Sequence, residues 1–148
     1  MILHRTKPIR YRMLGPLFAL ADDAFLQLPI TIPKTIRIRN AELSRSGMGI
    51  AKRDFIWDGA SFPFLHDMRA RRCTIAAGLW HDHAYRLERA GLLPTIPRSF
   101  WDEMFRQILD EDGMTTAEAD LWLAGVRIGG ASSAAEQQEA WEVVHEAP

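Results

Sequence analysis

At 148 residues, 47% of them hydrophobic, the chain has the length and apolar content of one self-sufficient domain. Its single Cys73 excludes an intrachain disulfide framework and argues against a cysteine-built zinc site. The net charge of −1 hides an asymmetry: residues 1–70 carry 11 Lys/Arg against 6 Asp/Glu, and residues 71–148 carry 7 against 13. No stacking-aromatic or recognition-helix motif accompanies the basic half, so it predicts a solvated face or pairing with the acidic half rather than a nucleic-acid surface.

At the N-terminus, His4, Arg5, Lys7, Arg10 and Arg12 precede MLGPLFALA, which imitates a secretory signal. The apolar run is short and is interrupted by Gly15 and Pro16, so no signal peptide is predicted, and no run reaches membrane-spanning length. Residues 28–33 (LPITIP) and 34–40 (KTIRIRN) alternate apolar with polar side chains and are rich in Ile and Thr, the pattern of half-buried strands. A polar stretch, AELSRSG, leads to a further strand over 48–57, which delivers the chain to Asp58-Gly59-Ala60-Ser61. Together these predict a small antiparallel sheet.

From about Asp67 the signals become helical. Residues 73–90 (CTIAAGLWHDHAYRLERA) form the centre of the chain: Ile75, Ala76, Leu79, Trp80, Ala84 and Leu87 recur at helical spacing, and Gly78, His81, Asp82 and Tyr85 share a neighbouring polar face. The spacing predicts an amphipathic helix, with His83 pointing elsewhere. Gly78, with Ala77 beside it, leaves room for the segment after Asp58 to approach the helix.

A second helix is expected from a Ser99 cap to Asp112, with Trp101, Met104, Phe105 and Ile108 as its apolar stripe and Gly113 as its stop. A third begins at Thr115 or Thr116 and carries Leu121, Leu123, Val126 and Ile128. A fourth is expected over 132–146. The expected fold is therefore α+β: a small N-terminal antiparallel β-sheet followed by a C-terminal bundle of about four α-helices. It forms one domain over 1–148, mainly β over 1–60 and mainly α over 61–148.

The chemistry concentrates in HDHAY at 81–85. On a helix the adjacent His81 and Asp82 diverge by about 100° and can serve two neighbouring tasks. A neutral imidazole can take a proton from water, and a carboxylate suits a hard cation such as calcium. Tyr85, one turn along, can donate a hydrogen bond to a further carboxylate. Asp102 is the best candidate, because the next helix returns antiparallel after a short connection and Asp102 flanks its apolar stripe, where a carboxylate needs a partner. Asp58 and Gly59 in the DGAS turn supply the other half of a site, as cation ligands through the carboxylate and a backbone carbonyl.

The same residues have plainer uses. His81 and Asp102 can brace two helices, Asp82 can be a solvated partner of Arg86, and DGAS can be an ordinary strand-to-helix turn. His81 and His83 would splay apart on a helix, which disfavours zinc, and no nucleophile elbow, P-loop or dinucleotide fingerprint is present.

With these motifs placed, the chain resembles a family of small proteins common in tailed phages and prophages, catalogued as domain of unknown function 1353. The resemblance covers roughly positions 48–130 and rests on FIWDGASFP at 55–63, HDHAY at 81–85, WDEMF at 101–105 and LWLAGVRIGG at 121–130. It implies a phage or prophage origin. A fainter similarity is to phospholipase A2 of the disulfide-free viral type, which shares His-Asp-x-x-Tyr and follows it with Ala-Asp-x-x-Phe, where this chain has Trp101 in place of the Ala.

The phospholipase similarity implies His81 as base for water, Asp82 as calcium ligand, Asp102 as orienting carboxylate and Tyr85 as its hydrogen-bond donor. The glycine-rich calcium loop of those enzymes is absent, and DGAS has to replace it. A weaker resemblance, to HD-type metal phosphohydrolases, would use His66, His81, Asp82 and a later Asp, at a spacing short for that class. The leading expectation is a phage-related, calcium-dependent hydrolase acting on lipid or another ester, located in the virion or the host cytoplasm. The alternative is a virion, tail or assembly protein that contacts other phage proteins and uses the network structurally.

Overall fold

A computed structural model describes residues 3–15, 17–57, 68–90, 96–129 and 145–147. Among the described residues eight short strands come first: β1 (His4–Arg5), β2 (Ile9–Leu14), β3 (Leu17–Leu20), β4 (Ala24–Gln27), β5 (Ile36–Ile38), β6 (Ala41–Leu43), β7 (Met48–Ala51) and β8 (Ile56–Trp57). Three helices follow, α1 (Met68–Arg89), α2 (Arg98–Glu111) and α3 (Thr116–Gly129), and then a strand, β9 (His145–Ala147). The class is α+β. All the strand pairs are antiparallel, in a five-stranded sheet of order β1-β4-β7-β6-β5 and a four-stranded sheet of order β8-β3-β2-β9.

The five-stranded sheet follows the period-two rule. Ala24 and Leu26 of β4 are buried while Phe25 faces out, and β6 and β7 alternate in the same way. Asn40, at φ +91°, makes the tight connection between β5 and β6, a conformation that Asn tolerates better than most residues. Gly47, at φ +88°, lies so close to the 28–30 backbone that a Cβ there would fall 2.5 Å from the Ile30 carbonyl oxygen and 2.6 Å from that of Leu28. Only glycine fits that crossing.

Several sequence expectations are corrected. Residues 28–33 form no strand: Pro29 and Pro33 lack the N–H a ladder needs, and the segment is held by isolated bonds from Leu28 N to Gly47 O and from Ile32 N to Arg45 O. Residues 48–57 form two strands rather than one. Asp54, at φ +69°, turns the chain between them, so that β7 closes the first sheet and β8 joins the second. MLGPLFALA supplies parts of β2 and β3, which pair as a hairpin.

The helical half also differs from expectation. Among the described residues there are three helices rather than about four, because the end of the expected 132–146 helix is β9, which pairs with β2 through Ile9↔Ala147. Residues 132–144 lie outside the described residues. Helix α1 is not amphipathic over its central turns: every residue from Cys73 to Tyr85 is buried, because α1 contacts α2, β6, β8 and β9. Helix α2 starts at Arg98 with Pro97 at its cap and no side-chain cap bond, so Ser99 does not serve as the cap.

Thr115 does cap α3, its Oγ1 accepting from Glu118 N at 3.2 Å. On α3, Ala119, Trp122 and Leu123 are buried and Leu121 is 43% exposed, while the side chains of Val126 and Ile128 lie outside the described residues. No described helix is long and apolar enough to cross a membrane.

One contiguous core joins the sheets and helices and includes Phe55, Trp57, Trp80, Trp101, Phe105 and Trp122. A buried ion pair fastens the far end of α2 to the first strand: Arg5 donates to Asp112, with Lys7 3.3 Å from the same oxygen, and Leu3 N donates to Glu111. Helix α2 is thus held at its C-terminus by β1 and along its length by α1 and α3.

Candidate functional site

His81 and Tyr85 sit one turn apart on α1 and face the second turn of α2, where Asp102 projects between the helices. His81 Nε2 lies 3.0 Å from Asp102 Oδ1, and the Tyr85 hydroxyl donates to the same oxygen at 2.9 Å. One carboxylate oxygen with two lone pairs therefore receives both neighbours. The imidazole is further held by the Tyr85 ring, with centroids 4.0 Å apart, and by the edge of Phe105 at 5.3 Å. The site is nearly closed: the side chains of His81 and Asp102 are 11% and 5% exposed.

Burial sets the electrostatics. It lowers the pKa of His81 below the ordinary imidazole value; the bond to Asp102 and its charge oppose the shift, and the Arg98 guanidinium adds to it. The ring is accordingly neutral at pH 7. Tyr85 is pushed up to about 12, chiefly by burial, with Asp102 adding and Arg98 opposing. It therefore acts as a hydrogen-bond donor and not as an acid near neutrality.

Asp82 points away from this pair, toward the end of β8. Its Oδ2 accepts from Arg86 at 3.2 Å, and the same guanidinium donates to the Ile56 carbonyl and lies 4.1 Å from the centre of the Phe55 ring. Asp82 is buried, not the solvated carboxylate of the plainer reading. Asp58 and Gly59, the other residues expected at a metal, lie outside the described residues, as do Ala60, Ser61, His66 and Asp67. Among the described residues no group of three or more His, Cys, Asp or Glu side chains is arranged to hold a metal ion. Gly78 is buried on α1, but the segment expected to pack on it is outside the described residues.

Two participants were not anticipated. His83 turns to the opposite side of α1, where Nε2 lies 3.0 Å from the Ile50 carbonyl oxygen of β7 and the ring meets Trp80 edge-on at 5.3 Å. Complete burial takes its pKa down to about 4 against the pull of the Ile50 and Glu42 carbonyls, and Arg86 reinforces the fall. The second is Arg98, whose Nε donates to the Tyr85 oxygen at 2.6 Å. A basic residue in a first helical turn that holds no acidic residue runs against the helix dipole, and that is the one sequence signal that marks it.

Comparison with known proteins finds no matching family model, no similar curated protein and no similar solved structure.

Proposed function

We propose that the chain is a phage-related hydrolase of phospholipase A2-like chemistry, acting on lipid or another ester in the virion or the host cytoplasm. The observation that carries this reading is a buried, neutral His81 bonded through one ring nitrogen to Asp102, which Tyr85 also holds. Asp102 accepts the Nε2 proton, and Nδ1 remains as a base. Water gives a proton to Nδ1 as its oxygen bonds to the ester carbonyl carbon. Collapse then breaks the ester C–O bond, and the leaving alkoxide takes the proton back, giving an acid and an alcohol.

Calcium belongs to the same proposal, held by Asp82, as the resemblance implies, with Asp58 and the Gly59 carbonyl of the DGAS turn in place of the absent calcium loop. Asp82 is the one member of that set among the described residues, and its carboxylate is engaged by Arg86. A cation has to compete with a guanidinium for it, so the steps above are written on the chain's own residues. A calcium titration of the melting temperature tests this. Ligand at a hundredfold excess over its dissociation constant stabilises the folded form by about 2.7 kcal/mol, and Asp82→Asn should abolish the shift. No shift at millimolar calcium removes the cation from the proposal.

One observation favours a second reading, a non-enzymatic virion, tail or assembly protein: the near-closure of His81 and Asp102 is what a brace between α1 and α2 needs. The discriminating variant is His81→Gln, which keeps polarity and loses the proton acceptor. For an enzyme, hydrolysis of phospholipid vesicles or a soluble ester falls by several orders of magnitude in that variant while folding is retained. A folded His81→Gln protein with full biological function leaves only the brace.

A further inference from the structure

Arg98 stands at the outer end of the hydrogen-bond chain that runs through Tyr85 and Asp102 to His81. Its guanidinium carbon lies 5.1 Å from the centre of the Tyr85 ring and its Nε 2.6 Å from the phenol oxygen. Arginine has donors and no acceptor, so Tyr85 must accept on this side, and its own proton is left for Asp102 Oδ1 at 2.9 Å. A carboxylate oxygen that accepts from a phenol has nothing to donate. The His81 nitrogen 3.0 Å from it must therefore donate as well.

We propose that Arg98 is a positioning residue for His81: its one-way bond turns the Tyr85 hydroxyl toward Asp102, which holds the imidazole proton on Nε2 and leaves Nδ1 as the open acceptor. The use of that acceptor in catalysis rests on the hydrolase reading; the proton arrangement does not. Charge works in the same direction. Among the described residues, the titratable groups facing His81 are Tyr85 on its own helix and Asp102 and Arg98 on α2. The Arg98 cation opposes a second cation on the imidazole.

The test is nitrogen-15 NMR of histidine-labelled full-length protein, titrated with pH and without substrate. In the wild type the Nε2–H form of His81 should outnumber the Nδ1–H form by at least about tenfold, the ratio one charge-assisted hydrogen bond sets. Arg98 is exposed, so its variants should fold. Arg98→Met should cut that ratio severalfold. Arg98→Lys, which returns the charge without the planar Nε donor, should not restore the ratio. In a Tyr85→Phe background, Arg98→Met should no longer change the ratio, because its route runs through the phenol.

An unchanged ratio in Arg98→Met, an equal change in the Tyr85→Phe background, or full restoration of the ratio by lysine would each overturn the proposal. These readouts are independent of activity. If they hold while no ester is cleaved, the positioning role stands and the hydrolase reading falls. If His81→Gln abolishes hydrolysis while Arg98→Met leaves the ratio unchanged, the reverse is true.

Discussion

His81 and His83 are two residues apart on one helix, both buried, and both shifted toward the neutral form, yet they are held by different kinds of partner. His81 is tied to a carboxylate on α2 that also holds a phenol. His83 is tied to a backbone carbonyl of β7 inside an aromatic surround. A backbone carbonyl cannot change its charge or move without the strand, so the His83 contact belongs to the packing of α1 on the five-stranded sheet. A carboxylate with a second donor can trade hydrogen bonds and redistribute a proton, which suits the His81 side to chemistry. Burial and a lowered pKa alone therefore do not tell the two histidines apart; the kind of partner does.

The sharpest way to break this contrast is truncation. His83→Ala removes a fully buried ring and its bond to the Ile50 carbonyl, so it should destabilise by about 3–5 kcal/mol. His81→Ala leaves Asp102 still bonded by Tyr85 and should cost less, about 1–3 kcal/mol. Denaturant midpoints of the two variants measure the difference. Equal losses would mean that the two histidines carry the same structural duty.

Acid should strike the His83 side next. Its folded pKa of about 4 lies below the ordinary 6.5, so between those values the unfolded chain binds more protons than the folded one. The stability it confers is complete above about pH 6.5 and is lost as pH falls toward 4, by up to about 3 kcal/mol. His81 is shifted in the same direction and adds loss of the same sign. Chemical denaturation at a series of pH values should show this slope, and His83→Leu should flatten most of it. A slope unchanged in His83→Leu would place the proton uptake elsewhere.

On the His81 side, Tyr85→Phe removes a donor to Asp102 Oδ1 and the acceptor of the Arg98 bond while keeping the ring against His81. A loss of about 1–2 kcal/mol is expected. In a double-mutant cycle with Asp102→Asn the two changes should couple by 0.5 kcal/mol or more, as members of one network usually do at roughly that scale. Strict additivity would show that the phenol and the carboxylate act separately.

The His81 side was largely legible in the sequence because helical geometry is local. An i, i+4 pair such as His81 and Tyr85 must share a face, and a carboxylate flanking the stripe of the next helix must find a partner, which identified Asp102. Arg98 escaped because its role depends on the angle at which α2 meets α1, which spacing does not encode. His83 escaped for a similar reason. Its partner is a main-chain oxygen 33 positions earlier, and every residue type offers one. The strands were legible where alternation was clean, as in Ile36–Ile38 and Met48–Ala51. β9 was not legible, because an Ala- and Glu-rich local propensity for helix yields at its end to the open edge of β2.

The smallest effect expected is also the finest probe of the His83 pocket. Gly49 of β7 lies directly under the ring, and a Cβ built there would meet His83 Cε1 at 3.5 Å, the Leu26 carbonyl oxygen at 3.5 Å and Trp80 Cζ3 at 3.6 Å. These are ordinary van der Waals distances, and unlike Gly47 this glycine does not occupy the left-handed region. Alanine therefore fits without displacing a neighbour. It also removes conformational freedom from the unfolded chain, so Gly49→Ala should stabilise by about 0.4–1 kcal/mol. Its methyl fills space against His83, so the imidazole should become no easier to protonate, and the acid-induced loss should keep its position on the pH axis. Thermal melts at pH 7 and pH 5 measure both quantities. Destabilisation at pH 7 would mean that the helix lies closer to β7 than these contacts require. A shift of the acid transition would mean that the ring is held by the fit of the pocket more than by the Ile50 carbonyl.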